Sequence, residues 1–165
     1  MSTRGWTSNI GGALRTDMCG TLGGILGGYG QLCRAAWVSK SFDLTGQSHR
    51  SVNVGLDFVK VDSWDGETGQ VYVDNELVWS QEFDVGSGVQ HCGGGYDWNQ
   101  AVVAVGPLRV LHSPNTLTLQ VTTTLDEDAD NEAFGISNVL IEVVCRTVGG
   151  RRALGDGNST ATIGN

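Results

Sequence analysis

Seven stretches of this chain read as β-strands, and none reads as an amphipathic helix. In residues 51–61, SVNVGLDFVKV, the side chains of Val52, Val54, Leu56, Phe58 and Lys60 alternate with those of the residues between them, a period of two. Residues 34–42, 100–105, 115–125 and 135–145 carry similar runs, and in TLTLQVTTT the residues Leu117, Leu119 and Val121 face one way while threonines face the other. Two further runs flank Asp74-Asn75-Glu76, a hairpin turn in prospect because Asp and Asn tolerate left-handed backbone. The one segment with helical ambitions, IGGALRTDMCGTLGGILGG, is interrupted by glycines that each cost roughly 1 kcal/mol in a helix. Strands at this spacing predict a single all-β domain, an antiparallel jelly-roll sandwich over residues 1–146. The remainder, 147–165, lacks a periodic apolar pattern and reads as a C-terminal tail, flexible or ordered by a partner.

The formal net charge of −8, with no basic run longer than Arg151-Arg152, argues against a nucleic-acid partner. No apolar run is long enough to cross a bilayer, so direct membrane insertion is not expected. The opening MSTRGWTSNIGG lacks the charged-then-apolar order of a secretory signal. Cys19, Cys33, Cys92 and Cys145 contain no C-x-x-C pair, which disfavours a zinc ribbon, and four cysteines allow three disulfide pairings. Disulfides would place the protein outside the cell, on its surface, or in an oxidising organelle lumen. A sequon at Asn158-Ser159-Thr160 points the same way.

Catalytic signatures are missing. The glycine-rich GTLGGILGGYG has neither G-x-G-x-x-G nor a following lysine, which makes it a structural loop where backbone passes close to something. There is no G-x-S-x-G elbow, and His49, His91 and His112, without metal-ligand spacing, read as solvated or capping residues. The expectation is a non-enzymatic protein with no catalytic residues.

Two acidic segments stand out. DSWDGE places Asp62, Asp65 and Glu67 beside Trp64 between two strands, and LDEDADNEAFGI places Asp126, Asp128, Asp130 and Glu132 at every second residue. The second segment is not an EF-hand loop, because the sixth position from Asp126 is Asn131 and the twelfth is Ser137. Such oxygen density still suits Ca²⁺, which takes six to eight oxygen ligands in flexible geometry.

Taken in order, Trp6, Cys19-Gly20, Leu26-Gly27-Gly28-Tyr29, DSWDGE, VYVDNELVWS, Cys92-Gly93 and the segment from Leu125 to Ile136 resemble a galactose-binding-like β-sandwich module of protist surface and secreted proteins. One departure is Ala133-Phe134, where that family usually has Ser-Trp. The resemblance implies a jelly-roll fold, a Cys19–Cys92 disulfide with Cys33–Cys145 as the second pair, and a role in binding or assembly. It also implies a structural calcium ion, with Asp62, Asp65 and Glu67 brought near Asp126, Asp128, Asp130 and Glu132, and Trp64 as a lid or a core plug. The expected ligand is a glycan, met by Tyr96, Trp98 and Asn99 with Trp79 as a secondary candidate, because sugar sites combine exposed aromatics with polar groups. The alternative is a protein partner, the sandwich serving as an accessory subunit of a larger assembly.

Overall fold

A computed structural model describes residues 1–92, 99–145 and 160–163. The chain is an all-β jelly-roll sandwich built from β1 (Thr7–Ser8), β2 (Thr16–Met18), β3 (Gly24–Gly27), β4 (Trp37–Asp43), β5 (His49–Asp62), β6 (Thr68–Val73), β7 (Glu76–Glu82), β8 (Ala101–Leu111), β9 (Thr116–Thr123), β10 (Glu132–Cys145) and β11 (Thr160–Ile163). One sheet has the order β1-β4-β9-β6-β7 and the other β2-β3-β10-β5-β8, with β11 added to β10, and all pairings are antiparallel. β10 is paired with β5 along one edge, while its other edge is shared, β3 meeting Gly135 and Ile136 and β11 meeting residues 141–144. The expected hairpin joins β6 to β7, with positive φ at Asp74 (50°) and Asn75 (69°).

Alternation fills the space between the sheets. Val38, Val71, Leu119 and Val121 from one sheet meet Val54, Phe58, Ile136 and Ile141 from the other, all buried. Phe58 is the hub: Phe134 and Phe83 stack on it at 5.9 and 5.7 Å, Trp79 lies at 5.4 Å, and Trp64 meets it edge-on at 6.0 Å. Gly69 of β6 gives that ring its space, since a Cβ there would lie 2.6 Å from Phe58 Cζ. Gly69→Ala is therefore expected to cost about 1–3 kcal/mol by overpacking, measured as a fall in the denaturant midpoint at constant slope. An unchanged midpoint would show that the aromatic hub yields.

Four short strands, β1, β2, β3 and β11, were not expected, and β11 lies within the stretch read as a tail, where it pairs with β10 of the same chain. The stretch expected as a structural loop holds a 3-10 turn at Gly20–Leu22 and then β3, whose Ile25 covers Val59 and Val61 on the outer side of β5, together with Cys19 and Ala133. That cover is why β5 has apolar residues on both faces. Cys19 is bonded to Cys92. Cys33 is free, so the expected Cys33–Cys145 pair does not form. Leu32 O accepts a hydrogen bond from the Phe134 amide, which sets Cys33 beside the start of β10, whereas Cys145 is that strand's last residue. At about 3.3 Å per residue, the intervening strand is far longer than the span of a disulfide.

His49 and His112, expected to be solvated or capping, are buried instead. Their rings stack 5.1 Å apart, His49 Nε2 lies 2.8 Å from His112 Nδ1, and His112 Nε2 lies 3.1 Å from Asp74 Oδ2. Burial is tolerable because each ring meets polar partners, Gln47 O on one side and Thr116 O on the other. The contact ties the start of β5 to the β6–β7 turn of the opposite sheet.

Candidate functional site

At the opposite end of β5 the DSWDGE segment is stitched down. Asp62 has left-handed backbone (φ 72°) and pairs with Glu132 at the first position of β10. Ser63 N and Oγ both donate to Asn131 O, and the Trp64 indole Nε1 donates to Ala133 O at 2.9 Å. Trp64 is fully buried, edge-on to Phe58 and Phe83, and so is a core plug rather than a lid. Gly66 N donates to Phe83 O and Phe83 N to Glu67 O. Driving the tryptophan inward turns the rest of the segment back over the end of β10.

That turn brings together Asp65, Glu67 and Glu132, with one oxygen from each lying within 4.8 Å of the others. Oxygens around a Ca²⁺ at 2.3–2.6 Å can stand about 5 Å apart, so the spacing fits a shared cation. Glu132 is the decisive member. It is 1% exposed, and its Oε2 has no hydrogen-bond partner among the described residues. Burial, reinforced by the negative charges of Glu67, Glu127, Asp126 and Asp65, pushes its carboxyl up from 4.5 to about 7. Burial also raises Glu67, against a backbone hydrogen bond from Asp65 N that favours the carboxylate. An unpartnered, buried carboxylate facing two others is destabilising unless a cation completes it.

The other acidic residues stand elsewhere. Asp126 and Asp128 are exposed, and Arg34 ties their loop down by donating to Asp126 O and to Asp128 Oδ1. Gly30 N donates to Ala129 O and Tyr29 Oη to Asp130 O, so Asp130 too belongs to a loop docked on residues 29–34. Asp62 is buried next to the triad without belonging to it. Of the seven acidic residues singled out from the sequence, Asp65, Glu67 and Glu132 form the cluster.

Lys60, buried beneath them, went unremarked as a site residue. Its Nζ donates to Asn99 O at 3.1 Å. Desolvation holds this lysine below its usual range, opposed by the attraction of Asp62, Glu132, Asp84 and Glu67. Its place in the alternation of β5 was the available signal. Asn99 is thus anchored through its backbone, while Tyr96 and Trp98 lie outside the described residues. Trp79 is half-buried against Phe58, a packing position.

No protein-family model matches the chain, and a search of curated proteins finds no match. Among solved structures, the CBM22-1–GH10 modules of endo-1,4-beta-D-xylanase 10B from Clostridium thermocellum, complexed with xylohexaose, are similar at 14% identity and a TM-score of 0.53, over 90% of this chain and 28% of that one. The exo-beta-1,3-galactanase Pc1,3Gal43A of Phanerochaete chrysosporium matches at 16% identity and 0.41, over 83% of this chain and 26% of that one. A carbohydrate-binding module CBM36 in complex with calcium and xylotriose matches at 13% identity and 0.38, over 82% and 98%. The chain thus spans about a quarter of the two enzymes. The xylanase likeness shows a shared fold.

Proposed function

We propose that this protein is a non-enzymatic carbohydrate-binding module whose Asp65, Glu67 and Glu132 hold one structural Ca²⁺. The observation that carries the cation is the orphaned, buried Glu132 Oε2 with two further carboxylates in reach. Supporting carbohydrate binding is the fold shared with a xylanase structure that holds xylohexaose. The narrower likeness to protist surface modules rests on the order of the sequence motifs alone. Three carboxylates would give the hard, oxygen-only donor set that calcium takes. Burial of Glu132 keeps a glycosidic oxygen from its carboxyl, so the carboxylates clamp the β5–β6 loop to β10 rather than cleave a substrate. The Cys19–Cys92 bond suits an oxidising, extracellular setting.

Calorimetric titration of Ca²⁺ into EDTA-treated protein at pH 8 is expected to show one site, with Mg²⁺ much weaker. Asp128→Asn is expected to leave that affinity within about twofold, because its exposed carboxylate is paired with Arg34. Absence of heat at millimolar calcium would remove the cation from this reading. Affinity should fall as the pH drops below about 7, where Glu132 takes up a proton, since ligation needs the carboxylate.

A further inference from the structure

The outer face of the five-stranded sheet carries a chemistry the sequence did not single out. Residues directly opposite each other on antiparallel strands share a face. Trp37, Thr122, Gln70 and Ser80 make one row across β4, β9, β6 and β7. Ser39, Gln120, Tyr72 and Leu77 make the next, and Ser41 and Thr118, their hydroxyls 3.1 Å apart, begin a third. These residues are half-buried or exposed, while the alternate positions Val38, Val71, Leu119 and Val121 are fully buried, which confirms the face.

None of these ten positions carries a charge, although 17% of the chain is charged. Charge begins only at the ends of the face, with Asp43 and Asp74 beyond one row and Glu82 beyond another. A solvated sheet face held only for solubility carries Lys and Glu mixed in. This face instead offers hydroxyls and carboxamides, groups that both donate and accept, as sugar hydroxyls do. Tyr72 Oη donates to Gln70 Oε1 at 3.1 Å, which fixes the end of that amide that is left to donate outward. Trp37 and Tyr72 stand two strands and one two-residue step apart, about 12 Å, the span of a short run of linked sugar rings.

We infer that this face is the glycan platform of the protein, and that its ligand is an extended, uncharged polysaccharide chain lying across β4, β9, β6 and β7. The inference rests on the carbohydrate-binding reading above and adds the surface and the ligand class. Trp37 and Tyr72 stack on the apolar faces of two sugar rings, and Gln70 and Gln120 between them read ring hydroxyls. A formal charge of −8 on the protein as a whole repels anionic polymers, and the platform offers no cation to offset that.

Native gels cast with hydroxyethylcellulose, galactomannan, xyloglucan or polygalacturonate, with calcium present, test both levels. The expected result is retardation by at least one neutral polymer and none by polygalacturonate. Trp37→Ala, Tyr72→Ala and the more conservative Gln120→Ala should each weaken it, the aromatic changes by about tenfold or more. The variants' calcium response should match that of the unaltered protein, which shows them folded. Retardation by a neutral polymer that persists in all three variants would overturn the platform while leaving the carbohydrate reading standing. Retardation by polygalacturonate alone would overturn the ligand class. Failure of every polymer to retard the unaltered protein would overturn the carbohydrate reading, and the platform with it.

Discussion

Phe58→Ala is expected to cost about 4 kcal/mol of stability, lowering the thermal midpoint by roughly 10 °C. The size follows from position. Phe58 is fully buried and touches Trp64, Trp79, Phe83 and Phe134, so its removal strips contacts from four large rings at once. The surroundings are poorly placed to collapse into the gap. Trp64 is held by its bond to Ala133 O, and Phe134 lies in a strand paired on both edges. Gly69 on the facing strand has no side chain to contribute. Phe58→Leu, which keeps most of the volume, should cost about half as much. A loss below about 1.5 kcal/mol for the alanine variant, from chemical denaturation at equal slope, would mean that the ring is not the hub described.

The second large effect lies at Glu132. In excess calcium, at a thousand times the dissociation constant, a cation bound only to the native state adds about 4 kcal/mol. Glu132→Gln is expected to abolish that gain. Without calcium the same substitution should stabilise the protein at pH 8, and the sign follows from linkage. The folded carboxyl is raised to about 7 from 4.5, so the folded state holds an extra proton between those values. The group therefore costs nothing below about pH 4.5, and its penalty grows to full size as the pH rises through 7. That penalty is about 2 kcal/mol once solvent screening is allowed for, and glutamine removes it. Unfolding curves at pH 5 and pH 8, each with EDTA and with calcium, separate the two contributions. Equal calcium shifts in both proteins would dissolve the proposed site.

The strands were legible because their alternation is driven by burial between two sheets, and Val52 to Phe58 show it plainly. The Asp74-Asn75 turn was legible because few other residues accept positive φ in succession. β3 was hidden: four residues with glycine at each end leave only Ile25 and Leu26 to announce a strand. The acidic residues misled for a different reason. Density of carboxylates says nothing of placement, and the loop of Asp126 to Asp130 is held on Arg34, Tyr29 and Gly30, residues distant in sequence, by bonds to its backbone oxygens and to the Asp128 carboxylate. Glu132 differs by a few positions yet enters the strand register, which is what buries it. The platform was invisible for a related reason, since Trp37 and Tyr72 become neighbours on one face only when β4, β9 and β6 align.

The division of β10's second edge between β3 and β11 has a bearing on how copies of this protein keep apart. Opposite residues 141–144 the backbone edge is covered by Thr160–Ile163 of the same chain. A strand edge left open recruits whatever extended chain is nearest, and at high concentration the nearest is another copy. By lending β11, the molecule keeps that edge occupied from within. The same arrangement sets the route to polymerisation: wherever Thr160–Ile163 is released, the vacancy fits the corresponding strand of a neighbour, and each acceptor, its own strand freed, can offer it to the next.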